Sequence, residues 1–394
     1  MKVILKYIVV PAIVGLSAIC LSAFSVADTT ETVYAGNPLE GVAIDSMQLE
    51  DGHYVQKTED GRKVVFTPDV KLQRYAQELL DRYEVPAGAA VLLNSKTGRV
   101  LTFAQRYGKS YAAEDRNVAL DSSPPAASVF KIVTASALLE QTDLQLTSEI
   151  CYHGGGGGLY MENLQDSATL DTACRSMQTA LGFSINAVFA KWSDRLLDRS
   201  VMRQYAERFG FGKPVPFDIS VAPSAIDIPR DRLEKARASA GFWHSHLSAL
   251  HGAVIAQSIA QDGAMLRPYI VDHVEDESGN VIYASSPRYI GRTVEKETAR
   301  LLKEAMKITV DKGTARRAFK DSHGNPIVPG VDVAGKTGTL NGEKPFRAYS
   351  WFVGMAPADN PEVAIAVLIV NEPKWRIKSS WTAAQILREY FQHR

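Results

Sequence analysis

The chain has 394 residues, 45% apolar and 22% charged, which is ordinary for a globular protein with a real core. That length allows two or three domains or one large two-lobed domain. Lys+Arg and Asp+Glu are equal at 44 each, so the formal net charge is zero. This balance gives no general electrostatic pull toward nucleic acid or anionic lipid, so nucleic acid is not an expected partner, and the composition is not that of a disordered chain.

Lys2 and Lys6 precede an uncharged run from Tyr7 to Ala27, which ends in the small-x-small triplet Ser25-Val26-Ala27 before Asp28. Residues 1–27 read equally as a cleaved signal peptide or a retained membrane anchor, since about 20 apolar residues span a bilayer. Either places the body of the protein outside the cytoplasm, in the periplasm or on the outer face of the inner membrane. Cys20 follows the bulky Ile19, a poor match to a lipoprotein signal. In an oxidising compartment Cys151 and Cys174 could pair, but spacing leaves a disulfide and two separate thiols equally open.

Residues 28–66 read as a polar linker and a short hairpin, its strands within 53–66 and its turn at Asp60-Gly61. Thr67 is the expected cap of the first helix and Pro68 its first residue. That helix sets Leu72, Tyr75, Ala76, Leu79, Leu80 and Tyr83 on one face. Strands follow at 89–94 and 99–104, joined through Ser95-Lys96-Thr97-Gly98. From 128 to 309 the pattern is mostly helical, and Gly154 to Gly158 form a loop. No Gly-Lys-Ser/Thr follows those glycines, so they read as a flexible loop and not as a phosphate cradle. Strands return at 349–355 and 363–370, around a turn at 358–361. A last helix buries Ala383, Ile386, Leu387, Tyr390 and Phe391. Strands at both ends and helices between them imply one sheet built from the two ends of the domain.

Ser128-Val129-Phe130-Lys131 is the one Ser-x-x-Lys in the chain, at the start of an apolar helical run. A spacing of three puts Ser128 and Lys131 a turn apart on one helix face, and a helix start favours negative charge near Ser128. A serine hydroxyl attacks only when a base takes its proton, and a buried lysine of lowered pKa can do so. Ser184-Ile185-Asn186 follows in a helix-and-turn region. The other Ser-x-Asn, Ser278-Gly279-Asn280, reads as a hairpin turn between 269–275 and 281–283. Lys336-Thr337-Gly338-Thr339 reads as part of a strand, whereas the earlier Lys96-Thr97-Gly98 reads as turn chemistry.

In that order, Ser-x-x-Lys, Ser-x-Asn and Lys-Thr-Gly-Thr are far more specific than any one alone, and the chain resembles the transpeptidase domain of penicillin-binding proteins. The likeness runs from about Thr67 to Phe391, so residues 67–394 are expected to form that domain. The resemblance implies an α+β, β-lactamase/transpeptidase-like fold. It would be an antiparallel sheet of about five strands flanked by helices, with a mostly α-helical lobe inserted. It implies that Ser128 attacks the carbonyl between two terminal D-alanines of a peptidoglycan stem peptide, with Lys131 as base and Ser184 relaying a proton to the leaving group. Asn186 would bind the substrate backbone, and Lys336, Thr337 and Thr339 its carboxylate, with Gly338 allowing close approach. The backbone N–H groups of Ser128 and Thr339 would form the oxyanion hole. No cofactor or metal is implied. β-Lactams would be covalent inhibitors and other cell-wall synthesis proteins partners. Fewer than 45 residues separate Asp28 from Leu72, so a nearly bare catalytic domain is expected.

Other readings are weaker. A D,D-carboxypeptidase differs only in its acceptor. A class A serine β-lactamase would carry a Glu-x-x-Leu-Asn segment, absent here, and class D enzymes usually have an apolar residue where Asn186 stands. A β-lactam sensor would need a cytoplasmic part larger than six residues. His244, His246 and His251 lack the supporting ligands of a zinc site, and Arg230-Asp231-Arg232 reads as a solvated turn.

Overall fold

A computed structural model describes residues 36–108, 111, 117–156 and 158–392. The N-terminal run, including Cys20, lies outside the described residues. Among the described residues no helix is long and apolar enough to cross a membrane.

Three short strands come first, β1 (Gln48–Glu50), β2 (His53–Lys57) and β3 (Lys63–Phe66). The β2–β3 turn holds Gly61 at φ +83°. Helix α1 (Val70–Arg82) follows, but its cap is Asp69, whose carboxylate accepts from Leu72 N at 2.8 Å. The expected cap, Thr67, instead donates its N–H to Ile270 O at 2.8 Å, a partner two hundred residues away. Strands β4 (Ala87–Asn94) and β5 (Val100–Tyr107) extend further than the sequence pattern marked.

The middle of the chain forms α2 (Lys131–Gln141), β6 (Glu149–Tyr152), β7 (Ala173–Ser176), α3 (Met177–Gly182), α4 (Asn186–Leu196), α5 (Arg199–Arg208), α6 (Arg232–Ala240) and α7 (Ala249–Ala260). Short strands β8 (Ala264–Leu266), β9 (Val271–Glu275), β10 (Val281–Ala284) and β11 (Tyr289–Arg292) then precede α8 (Lys296–Asp311). The chain closes with β12 (Ala334–Glu343), β13 (Phe346–Ala356), β14 (Val363–Asn371) and α9 (Ser379–Gln392).

The main sheet runs β12-β13-β14-β4-β5 and is antiparallel throughout, so its strands do come from both ends of the chain. Strand β14 lies at its centre with every residue buried. Its alternation divides two cores: Ala364, Ala366, Leu368 and Val370 face the side covered by α7, and Val363, Ile365, Val367 and Ile369 face α1 and α9. Each Val, Leu or Ile among them contributes about 1.5–3 kcal/mol when fully buried, so the sheet is a rigid platform for whatever its edge carries. A second sheet, β1-β2-β3-β9-β10, ties the early strands to the later hairpin.

The Arg230-Asp231-Arg232 cluster is more than a solvated turn. Asp231 caps α6 by accepting from Glu234 N, and Arg232 grips Asp194 of α4 at 2.7 Å. The second contact fixes α6 beside α4.

Candidate active site

Ser128 lies in a tight 3-10 turn (Ala127–Phe130) immediately before α2, so it precedes the α-helix rather than opening it. Ala127 sits at φ +49°, an expensive backbone conformation for a non-glycine residue and one that clusters at functional sites. The turn is pinned from the sheet side, where Trp351 of β13 donates from Nε1 to Pro125 O at 2.8 Å.

The three-residue spacing does bring Lys131 to Ser128: Nζ lies 2.7 Å from Ser128 Oγ. It also lies 2.7 Å from Asn186 Oδ1 and 2.6 Å from Ala240 O. Asn186 donates its own Nδ2 to Gly155 O at 3.0 Å, which orients the amide with its oxygen toward the lysine. Two of the three contacts around Nζ are therefore pure acceptors, and only the serine hydroxyl can donate in return. Lys131 is fully buried, and burial, with the neighbouring Lys336 charge adding to it, holds the amine well below the ordinary lysine range. A neutral amine satisfies all three contacts, giving two N–H bonds and accepting the Ser128 proton.

Strand β12 is an edge strand of the main sheet, in register with β13 through Lys336↔Val353 and Thr339↔Ser350. It runs against the Ala127–Phe130 turn. A Cβ added to Gly338 would lie 3.2 Å from Ala127 Cβ and 3.3 Å from Ser128 N, so glycine permits this approach. Lys336 is buried with Nζ 2.8 Å from Ser184 Oγ and 2.6 Å from Thr337 O, and burial pulls its pKa down to about 7. Ser184, between α3 and α4, sits at φ +57°.

Sequence reading missed several members of this site. Ala240 O is aimed at Lys131 because Gly241, at φ +86°, ends α6 in a left-handed turn; a side chain there would strike Ala127 O at 2.2 Å. A helix end followed by glycine was the available signal. Thr314, after α8, shares a short hydrogen bond with Thr337 through their hydroxyls. Gly156, Gly158, Trp243 and Asn341 line the cavity of about 340 Å³ into which Ser128, Asn186 and Thr339 open. The glycine loop thus bounds the site. Its base is tied down by a disulfide between Cys151 and Cys174, which face each other across β6 and β7.

Other candidates disperse. Lys96-Thr97-Gly98 forms the β4–β5 turn and Ser278-Gly279-Asn280 the β9–β10 turn. His251 is buried, bonded to Phe209 O and held near a pKa of about 4 by burial, while His244 meets Glu234 and His246 meets Ser123 O.

A five-stranded antiparallel sheet carrying a buried lysine on its edge strand, set against a serine–lysine turn under a helical lobe, defines the serine–lysine class of penicillin-recognising folds. The family model for the penicillin binding protein transpeptidase domain matches residues 88–392, and the chain belongs to that family. It is 27% identical over 346 residues to stage V sporulation protein D of Bacillus subtilis, covering 82% of this chain and 52% of that protein. It is 28% identical over 318 residues to the peptidoglycan D,D-transpeptidase PbpA of Mycobacterium tuberculosis, covering 72% and 62%. The chain thus spans between about half and three-fifths of the length of these relatives. The solved D,D-transpeptidase domain of a peptidoglycan glycosyltransferase from Eggerthella lenta matches with a TM-score of 0.69 at 26% identity, over 84% of each chain.

Proposed function

We propose that the protein is a serine D,D-transpeptidase acting outside the cytoplasm on D-Ala-D-Ala stem peptides, with residues 67–394 as its transpeptidase domain. The observation that carries this reading is the environment of Lys131 Nζ, a buried amine bound to two acceptors and to the Ser128 hydroxyl. Lys131 takes the Ser128 proton, and Oγ attacks the carbonyl between the two D-alanines. The resulting oxyanion is held by the N–H groups of Ser128 and Thr339, each worth about 3–4 kcal/mol in comparable hydrolases. Lys336, Thr337 and Thr339 hold the terminal carboxylate through charge-assisted bonds. Ser184, in contact with Lys336, passes a proton to the leaving amine. A second amine then takes the acyl group from Ser128 and completes a cross-link. A β-lactam enters the same path and stops at the acyl-enzyme. The names of the relatives and the family support the same chemistry.

The test is intact-mass measurement of the full chain with benzylpenicillin, beside a Ser128→Ala variant. A persistent one-to-one adduct that the variant lacks is expected. An adduct that disappears as the drug is consumed would make the protein a β-lactamase, and no adduct in either protein would sink the catalytic reading.

A further inference from the structure

Next to the catalytic cavity lies a larger concavity of about 710 Å³. Its charged lining is of one sign: Lys312, Arg316 and Arg317 from the connection after α8, and Arg376 and Lys378 from the connection between β14 and α9. All five are exposed, in a chain whose net charge is zero. Among the described residues none of them lies within ion-pair distance of a carboxylate, although Lys312 acts at longer range on Asp311. Several other cations of the chain do pair. Arg300 pairs with Glu297, Lys303 with Asp262, Lys307 with Asp332 and Arg347 with Glu372. Gathering like charges without partners does not stabilise the fold, so the cluster suits a ligand that brings the opposite charge.

The groove also has an aromatic wall, where Tyr83 and Trp381 meet edge to face at 5.2 Å. Its third feature is its position. Thr314 lines it, and Thr314 Oγ1 is hydrogen-bonded to Thr337 Oγ1 of the catalytic strand. The groove therefore starts one side chain away from the Lys-Thr-Gly segment.

We propose that this basic groove holds free carboxylates of the peptide strand that supplies the attacking amine. The inference rests on the transpeptidase reading above and names its second substrate. Thr337 and Thr339 would hold the carboxylate of the departing terminal residue, so the body of the donor strand extends away from them. The amine that replaces the departed residue enters by the reverse of the exit path, on the Thr337 side, where Thr314 and the groove adjoin. In that step the amine nitrogen bonds the acyl carbon and the bond from that carbon to Ser128 Oγ breaks. The proton lost by the amine ends on Oγ by way of Lys131. Carboxylates further along the incoming strand then lie over Arg317 and Arg376, whose planar guanidinium groups bind them in two-point fashion.

The experiment uses the full chain with a benzoyl-D-alanyl thioester as acyl donor. Two acceptors are compared: a peptide with one primary amine and two free carboxylates, and the same peptide with both carboxylates amidated. Transfer and hydrolysis products are counted for the wild type and for an Arg317→Gln/Arg376→Gln double variant, whose altered side chains are exposed. The wild type should prefer the acidic acceptor about tenfold, a size set by two solvent-facing ion pairs, and half-molar salt should erode that preference. The double variant should lose it while its acylation by benzylpenicillin stays at the wild-type rate. Equal use of both acceptors by the wild type, or an unchanged preference in the variant, overturns the inference and leaves the transpeptidase reading standing. So does an unchanged preference together with lost binding to phosphatidylglycerol vesicles, which would make the groove a membrane contact. An acyl-enzyme that only hydrolyses, or none at all, removes the transpeptidase reading and this inference with it.

Discussion

The tripeptide Lys-Thr-Gly occurs twice in this chain, and the two copies have nothing in common beyond their letters. At Lys96-Thr97-Gly98 it closes the β4–β5 turn. The Asn94 side chain accepts from Lys96 N at 3.0 Å and Thr97 N at 3.1 Å, Gly98 sits at φ +80°, and Lys96 is exposed. At Lys336-Thr337-Gly338 it is mid-strand, paired to β13, with the lysine buried against Ser184 and the glycine against the turn that carries Ser128. The same glycine is required in both places for different reasons, a left-handed turn in one and a close approach in the other. A motif acquires chemistry from what is packed on it, not from its composition.

Truncating the two lysines gives the largest separation. Lys336→Ala should lower kcat/KM for a carboxylate-bearing donor by about 10²–10³-fold, since it deletes the buried amine that meets the substrate charge in the proposed mechanism. Lys96→Ala should leave steady-state kinetics within about twofold, because an exposed lysine in a turn contributes little. The two glycines sharpen the contrast. Gly338→Ala should slow acylation by benzylpenicillin by about 10–100-fold, since its methyl group displaces Ala127 and the Ser128 N–H by a few tenths of an ångström. Gly98→Ala should act on stability instead, costing about 2–4 kcal/mol in a denaturant melt, because its Cβ would lie 2.3 Å from Arg267 O at a positive φ. The folded fraction of that variant should acylate at the wild-type rate.

The smallest effect is a pH dependence that Lys336 has and Lys96 lacks. Burial brings Lys336 to about 7 in the free protein, so it is charged below that pH and neutral above it. With a carboxylate-bearing donor, kcat/KM should therefore fall as pH rises through about 7, approaching tenfold per unit at its steepest. A rising limb belongs to Lys131, which in the proposed mechanism must lose its proton to act as base and which burial holds well below the ordinary lysine range. A donor whose terminal carboxylate is amidated should keep the rising limb and lose the falling one. A falling limb that survives amidation would mean Lys336 does not meet that carboxylate.

Much of the architecture was readable because its signals are local. The unbroken apolar run of 363–370 marks a buried strand, and the face set by Leu72, Ala76, Leu79 and Leu80 marks a helix laid on the sheet. Ser128 and Lys131 meet because three residues make one turn, whatever surrounds them. Local signals failed where a distant segment competed for the same group. Thr67 is a good cap by type, but its hydroxyl turns to Tyr269 O and its N–H to Ile270 O, and the helix starts at Asp69's capping bond instead. Asp231 and Arg232 look like turn residues until α4 is packed beside them. The pairing of Cys151 with Cys174 is invisible in their spacing and follows from the β6–β7 register.

The sequence by itself determined the family, the order of the chemistry-bearing motifs and the two-ended sheet, because periodicity and short spacings are properties of neighbouring residues. Only the tertiary structure decided that Lys336 is buried against Ser184, that a helix-end carbonyl at Ala240 helps hold Lys131, and that five cations meet beside Thr314. Each of those depends on burial and distance between segments remote in the chain, and desolvation, which sets the two lysines apart from ordinary ones, exists only once those segments have come together.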